Sequence, residues 1–535
     1  MTSSLFPRGL VAAASVDAST VLVISAVILA FLAAVATGTR AYRTPYAPAT
    51  NRSSSRPVTG TAKPDFSDLA PPEPRLMLRL EKALLFGLAG YLFFDRGFAW
   101  FHIPGTPLFI GELIIAFGLV AVLASRPRLG PILRASGSFK ALTAYMSWGA
   151  FLLLGAISTY TFDAIRDAAL WYYGIVAVFV ITLVVSRPAR VNSWLRLFGK
   201  TLPFALIWFP VAVILDSALS SKFPLVPDSA IPIVSHSTGN LTVMAAVAIG
   251  FIWLVDQDRE LFSQRQRVLL TSFGTLVILF GAMRNRGGFV AAAVGLGIAF
   301  LFLRRKRTEM SMIMVGAVVL LLIVGLLGNV RIALFEGREV SVDQLLNNLT
   351  SVIDPDAGGF RQRTTTEWRL EIWTQVFHDV STEFPLTGFG PGPDLGERYN
   401  ITTDPTTPLR NPHNSHVGVL ARSGFVGAIL WFMIWWVWIV ELLLTRRRLM
   451  ARGRYREAGI GVWLLVSIPT ILVNAIFDPT LEGPQVAWWL WAFLGFGISY
   501  TTLERTGRLP QLSLREPPKP GTSLPELPAP TGATS

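Results

Sequence analysis

The sequence predicts an all-α polytopic membrane protein of about 13 transmembrane helices with one large extracytoplasmic helical loop. Three observations carry that reading. Hydrophobic residues make up 52% of the 535-residue chain, mean hydropathy is +0.49 and charged residues reach only 15%, which water-soluble domains do not show. Apolar runs close to the roughly 20 residues a spanning helix needs recur near 19–38, 82–101, 107–125, 142–159, 168–185, 201–220, 241–256, 268–284, 287–303, 309–329, 415–444, 458–477 and 486–503. Basic residues gather in alternate connections.

That alternation fixes an orientation. The connections at 126–140, 186–200, 256–267, 304–308 and 445–457 carry four, four, three, four and six Lys or Arg, whereas the opposite short ones hold only Arg96, Arg166, Lys222, Arg284 and Arg286. Lys and Arg accumulate on the cytoplasmic side of membrane proteins. The first set is therefore read as cytoplasmic and the N-terminus as external. The net charge of +13 follows from this placement and does not call for nucleic acid as a partner.

The chain divides accordingly into a first span at 1–38, a disordered cytoplasmic linker at 39–80, a transmembrane block at 81–329, an extracytoplasmic loop at 330–412, a second transmembrane block at 413–503 and a disordered cytoplasmic tail at 504–535. Read as a signal peptide, the first segment would end near Ala33, Ala34 and Ala36, and cleavage there would place Arg40, Arg43, Arg52 and Arg56 outside, against the charge rule. The absence of cysteine excludes disulfides, metal-thiolate sites and redox dithiols.

The loop at 330–412 holds seven arginines against twelve acidic residues, as an external segment should. Within it, Thr364 and Glu367 have the spacing of a helix capping box. Trp368, Ile372, Trp373, Val376 and Phe377 then fall on one helical face. The expected helix at 365–382 either lies on the membrane, roofs a cavity or packs the loop onto the bundle. The Gly- and Pro-rich stretch 385–400, "PLTGFGPGPDLGERYN", lacks the Lys-Ser or Lys-Thr of a phosphate loop and is read as a tight turn back to the bundle.

Five histidines occur in the chain, and two of them, His413 and His416, stand three apart in "RNPHNSHVGVLARSGFVG" where the loop meets a span. Imidazole titrates near pH ~6.5 and suits proton transfer at neutral pH. The plainer role for His413 is to cap the following helix. A metal pair would fit the spacing, yet no third ligand motif stands nearby.

The order "WRLEIWTQVFHDVSTEFPLTGFGPG", then "HNSHVGVLARSGFVG" running into a span, resembles the O-antigen ligase and O-antigen polymerase superfamily of polytopic inverting glycosyltransferases. Earlier, "GAMRNRGGFVAAAVGLG" resembles that family's segment with an arginine at the outer end of a span. The resemblance covers residues 80–503 and is sharp in these two segments. It implies a 12-helix core, to which the first span is an addition. It also implies a glycan joined from a polyprenyl diphosphate carrier to an acceptor sugar on the outer face of the cytoplasmic membrane, without metal, nucleotide or other cofactor. The implied partners are that lipid-linked glycan, an acceptor glycan or glycolipid, and membrane lipids.

Carried over residue by residue, His413 is the expected base or acceptor-orienting group, with Asn414 beside it. His416 falls where the family has an aromatic residue and is expected only to position. Arg286, with Arg284 next to it, and Arg369 on the loop helix match the family's cations for the diphosphate; guanidinium forks suit phosphate oxygens. Snorkelling to headgroups is the plainer role for Arg284, and a salt bridge with Glu367 or Glu371 for Arg369. The stretch "PIVSHSTGNLTV" departs from the family, having His236 and no arginine, so either His236 or Lys222 substitutes or the site has fewer cations. Asp95, Arg96, Asp163, Arg166 and Asp216 stand near the outer ends of spans and are further candidates for the cavity.

Two other classes compete. A lipid-linked-sugar transporter or flippase should show internal repeats, and none is found between the halves. A peptidoglycan-type polymerase would need a catalytic aspartate in the loop, for which Asp354 and Asp356 are available. The histidine motif favours the ligase-like family; ligase and polymerase share it.

Overall fold

The computed structural model describes residues 75–516 apart from 105, 107, 128, 220–221, 304–305, 328–331, 335–337, 354–359 and 401–409. The expected first span, nearly all of the linker, residues 517–535, Asp354 and Asp356 lie outside the described residues.

In chain order the helices are α1 (Arg75–Phe94), α2 (Arg96–Ala99), α3 (Ile110–Ser125), α4 (Gly130–Ala135), α5 (Gly137–Asp167), α6 (Ala169–Tyr172), α7 (Ile175–Ser186), α8 (Arg190–Leu219), α9 (Thr238–Leu254), α10 (Gln264–Ala282), α11 (Arg286–Phe302) and α12 (Arg307–Leu327). The loop follows, with β1 (Ile332–Leu334), β2 (Arg338–Val340), α13 (Val342–Ile353), α14 (Phe360–Thr382) and α15 (Leu395–Arg398). Then come α16 (Ser415–Ala451), α17 (Tyr455–Phe477) and α18 (Pro484–Arg505). Each of the twelve apolar segments expected beyond the linker overlaps one of these helices.

Six stretches among the described residues are long and apolar enough to cross a membrane: Gly137–Asp167, Ala169–Ser186, Arg190–Asp216, Ser415–Ala451, Tyr455–Phe477 and Pro484–Arg505. Ile110–Ser125, Thr238–Leu254 and Arg286–Phe302 are shorter apolar helices. Burial sorts them into centre and rim. Every residue of α9 after Thr238 is buried and most of α17 and α18 are too, because α9 packs on α10, α11 and α17, while α18 packs on α7 and α17. On the rim, Leu123 of α3, Leu154 of α5 and Phe204 of α8 are 72, 76 and 70% exposed. Apolar side chains directed away from the protein are what a surrounding bilayer accommodates.

The expectation of an all-α bundle holds, with one local addition in the loop. Ile332 pairs with Val340 and Leu334 with Arg338 in a two-stranded antiparallel ribbon at the start of the loop. Three-residue strands leave too short an alternation to be seen in sequence. At the opposite end of the bundle, residues 508–516, read from sequence as the start of a disordered tail, lie ordered across the helices. Leu509, Leu512 and Leu514 are buried there. Leu512 N donates to Glu457 at 2.8 Å, Arg454 donates to Pro510 O at 2.8 Å and Asn192 donates to Gln511 O at 2.9 Å.

The loop is tied to the bundle at a break in α16. Gly424 adopts φ 62° and ψ −168°, which interrupts the helix and releases the Ala421 carbonyl and the Phe425 amide from the helical ladder. The loop pairs with both: Phe389 N donates to Ala421 O at 2.7 Å, and Phe425 N donates to Pro385 O at 2.9 Å. A Cβ on Gly424 would lie 2.4 Å from Leu386 O, and one on Gly388 would lie 2.4 Å from Ala421 O. Glycine is therefore required on both sides of this contact.

The loop helix α14 begins at Phe360, so Thr364 and Glu367 lie within it and do not form its cap. Its Ile372, Val376 and Val380 pack against Leu395 and Ala421, with Trp368 and Trp373 alongside, while Phe377 stays 54% exposed. The apolar stripe joins loop to bundle.

Candidate functional site

Three turns meet at the end of the bundle that carries the loop. The first joins α10 to α11. Asn285 caps α11, its Oδ1 accepting from Gly288 N at 2.8 Å, with Arg284 and Arg286 on either side. Such a cap satisfies a helix amide that otherwise lacks a partner. From the loop, Asn348 of α13 donates through Nδ2 to Ala282 O at 2.9 Å and Met283 O at 2.8 Å, and Leu345 buries beside Leu279 and Met283. This fastens the arginine turn to the loop.

The second turn is Asn411–Asn414. His413 takes φ 52°, a left-handed conformation uncommon for residues other than glycine, and its amide donates to Asn411 Oδ1 at 3.1 Å. Asn414 caps α16, its Oδ1 accepting from His416 N at 2.9 Å and Val417 N at 3.2 Å. Capping thus belongs to Asn414, and the His413 ring is not used for it. Trp368 of α14 meets that ring edge to face at 5.7 Å between centroids, and Trp373 Nε1 donates to Pro412 O at 2.8 Å. The loop helix therefore covers and positions the histidine.

The third turn follows α17 and begins at Asp478. Its Oδ2 accepts from Asn285 Nδ2 at 3.0 Å, which links it to the arginine turn. Ser415 Oγ donates to Asp478 O at 3.4 Å and accepts from Leu481 N at 3.2 Å, which links it to the histidine turn.

The side chains converge electrostatically. His413 is largely buried, and its Nδ1 has no hydrogen-bond partner among the described residues. Burial, reinforced by the nearby Arg369 and Arg96 and opposed by Asp478, pushes its pKa down to about 4. At neutral pH the imidazole is uncharged and able to accept a proton. Arg369 in turn lies close to Asp478 and Arg286, and burial pulls its pKa below the usual guanidinium value. His413, Arg369 and Arg286 therefore belong to one cluster, with Asp478 as its carboxylate.

His416 lies outside this cluster. Its Nδ1 accepts from Trp431 Nε1 at 3.0 Å, which leaves the proton on Nε2 to donate to Leu472 O at 2.9 Å. Both nitrogens are consumed inside the bundle, so the two histidines do not face a common ion. His236 is buried against Trp208 at 6.3 Å between centroids, and burial holds its pKa near about 4. A neutral imidazole supplies no positive charge to that corner at pH 7. Lys222 is exposed in the segment before it.

Asp95 and Asp216 organise the same corner. Asp95 accepts from Ser237 N at 2.7 Å and from Asn240 Nδ2 at 3.1 Å, and Asp216 accepts from His236 N at 3.2 Å. Asp163 and Arg166 pair with each other at 3.1 Å and belong to a separate network, in which Arg410 binds Asp394 at 2.7 Å and Arg422 binds Asp167 at 2.9 Å. That network braces the glycine-rich turn, since Gly392 N donates to Asp167 at 3.0 Å. Asp478 was not singled out in the sequence. Its only local signal is a lone carboxylate at the end of an apolar helix, an expensive placement that marks polar surroundings.

Fold and site together define a multi-pass helical membrane protein with a histidine, arginines and a carboxylate gathered under a helical loop. Residues 268–432 match the family model described as O-antigen ligase. That match supports a place for the chain in the O-antigen ligase and polymerase superfamily. The matched stretch includes Arg284, Arg286, Arg369, His413, Asn414 and His416; Arg96 and Asp478 fall outside it. No curated protein matches the chain.

Proposed function

We propose that this chain is a membrane glycosyltransferase that joins or polymerises glycan from a polyprenyl diphosphate carrier onto an acceptor sugar at the outer face of the cytoplasmic membrane. The observation that carries the reading is the gathering of a neutral, buried His413 with Arg369, Arg286 and Asp478 at the loop end of the bundle. In this reading the bundle has a 12-helix core, the N-terminal span is an addition, 330–412 faces outside, and 39–80 and 504–535 face the cytoplasm.

The chemistry follows from those groups. The acceptor hydroxyl gives its proton to the His413 ring while its oxygen forms a bond to the anomeric carbon of the donor. The bond from that carbon to the diphosphate oxygen breaks, and the diphosphate leaves with the electron pair. Arg286, Arg369 and Arg284 neutralise the charge that develops on it. Attack opposite the leaving group inverts the anomeric centre. Asp478 offsets the positive charge of Arg369 and of the protonated histidine, and Asn414 fixes the turn from which the ring projects.

Deleting the gene tests the function. Accumulation of single lipid-linked repeat units identifies a polymerase, and accumulation of finished lipid-linked chains identifies a ligase. An unchanged pool of lipid-linked glycan would overturn both. Orientation is tested in the cysteine-free chain by labelling Ser351→Cys and Ser523→Cys with an impermeant thiol reagent. Labelling of Ser351→Cys alone in intact cells is expected, and the reverse pattern would overturn the orientation.

A further inference from the structure

We infer that Arg96 is a further phosphate-binding guanidinium of the site, contributed by the corner between α1 and α2 and standing against a turn that has no cation of its own. The inference rests on the diphosphate reading above and names a residue outside the matched family segment.

The corner is built to hold one residue in place. Asp95 turns the chain with φ 44° and ψ −112°, and Arg96 N donates to Ser235 O at 3.1 Å in a short parallel bridge between the two segments. Gly97 sits so close to the neighbouring strand of chain that a Cβ would lie 1.9 Å from Ile233 O. Asp95 itself is 3% exposed and spends its carboxylate on Ser237 N and Asn240 Nδ2, at the start of α9. The backbone on both sides of Arg96 is therefore locked to residues 233–240.

The Arg96 side chain behaves differently. It is exposed, and among the described residues its guanidinium makes no hydrogen bond or ion pair. It stands close enough to His413 to act on that ring electrostatically, alongside Arg369. The segment bonded to Arg96 also packs on the arginine turn, since a Cβ on Gly239 would lie 2.8 Å from Asn285 Nδ2, so Arg96 stands at the edge of the same cluster and adds a positive charge that favours an anion there. The turn it abuts offers the neutral His236 and no cation, and its carboxylates Asp95 and Asp216 hold the backbone amides of Ser237 and His236. A diphosphate leaving group at His413 would bring the missing negative charge, and the guanidinium fork can bind its oxygens in pairs.

Lipid headgroups offer the same phosphate chemistry, so the test separates the two sources. Purified protein in phosphatidylcholine nanodiscs is titrated with a short polyprenyl diphosphate, and with vesicles of phosphatidylglycerol in a second arm. Arg96→Gln should weaken diphosphate binding roughly 10- to 100-fold, the range of a lost charge-assisted contact. Arg96→Lys, which keeps the charge and covers the case in which Arg96→Gln does not fold, should recover only part of it. Vesicle binding should not change. Wild-type diphosphate affinity in both Arg96 variants, with affinity lost in Arg286→Ala, would overturn the role of Arg96 and leave the proposed function standing. Loss of vesicle binding alone would assign Arg96 to headgroups and also overturn it. Unchanged affinity in Arg96→Gln and Arg286→Ala alike would remove the diphosphate site itself.

Discussion

Asn285 Nδ2 donates to Asp478 Oδ2 at 3.0 Å, across 193 residues of sequence, and so fastens the turn that carries Arg284 and Arg286 to the turn beside His413. The same Asn285 side chain caps α11 through its oxygen. One amide therefore sets both the helix start and the spacing between arginines and histidine.

Asn285→Ala should remove both contacts. The lost cap alone costs about 0.5–2 kcal/mol, read as a lower midpoint in thermal unfolding. The transfer rate should fall further than Asn285→Ser causes, because serine keeps a cap oxygen and loses only the bond to Asp478. Near wild-type rates in both variants would remove the positioning role.

Acid should affect the histidine late. Because burial, Arg369 and Arg96 hold the His413 pKa near about 4, the ring stays neutral as pH falls through its ordinary range near 6.5. The acidic limb of kcat/KM that belongs to this ring should lie well below pH 6.5. Removing a neighbouring cation favours the protonated ring, so Arg369→Gln should move that limb to higher pH. A shift to lower pH would contradict the placement of Arg369.

His416→Ala should act on stability. Truncation strands Trp431 Nε1 in the bundle, and a buried polar group left unpaired costs about 1–3 kcal/mol. The pH profile of the surviving folded protein should match wild type. A changed profile would bring His416 into the proton transfer.

Gly424→Ala places a side chain where φ is 62° and a Cβ would meet Leu386 O at 2.4 Å, and is expected to cost more than about 1 kcal/mol. The loop should detach first. Limited proteolysis should cut within 385–410 faster than in wild type, and an unchanged cleavage rate would show that the break in α16 does not hold the loop.

The bundle was legible because apolar runs and alternating basic loops are written in consecutive residues, and twelve expected segments overlap described helices. His413, Arg286 and Arg369 were legible through the resemblance of short segments to a known family, and the structure brings the three together. The start of α14 was misplaced because Thr364 and Glu367 have capping spacing inside a helix that already runs from Phe360. Asp478 could not be singled out, and Arg96 could be named only as one of five candidates, because their roles depend on contacts across the fold: Arg96 with Ser235 and His413, Asp478 with Asn285 and Arg369. No spacing rule joins residues so far apart.

The most direct test of the central claim is single-turnover glycan transfer by purified His413→Ala protein, with carrier binding measured on the same preparation. The account predicts a rate lower by about 10²- to 10⁴-fold, the usual contribution of a general base, with binding of the polyprenyl diphosphate carrier retained. Transfer at near wild-type rate would contradict it.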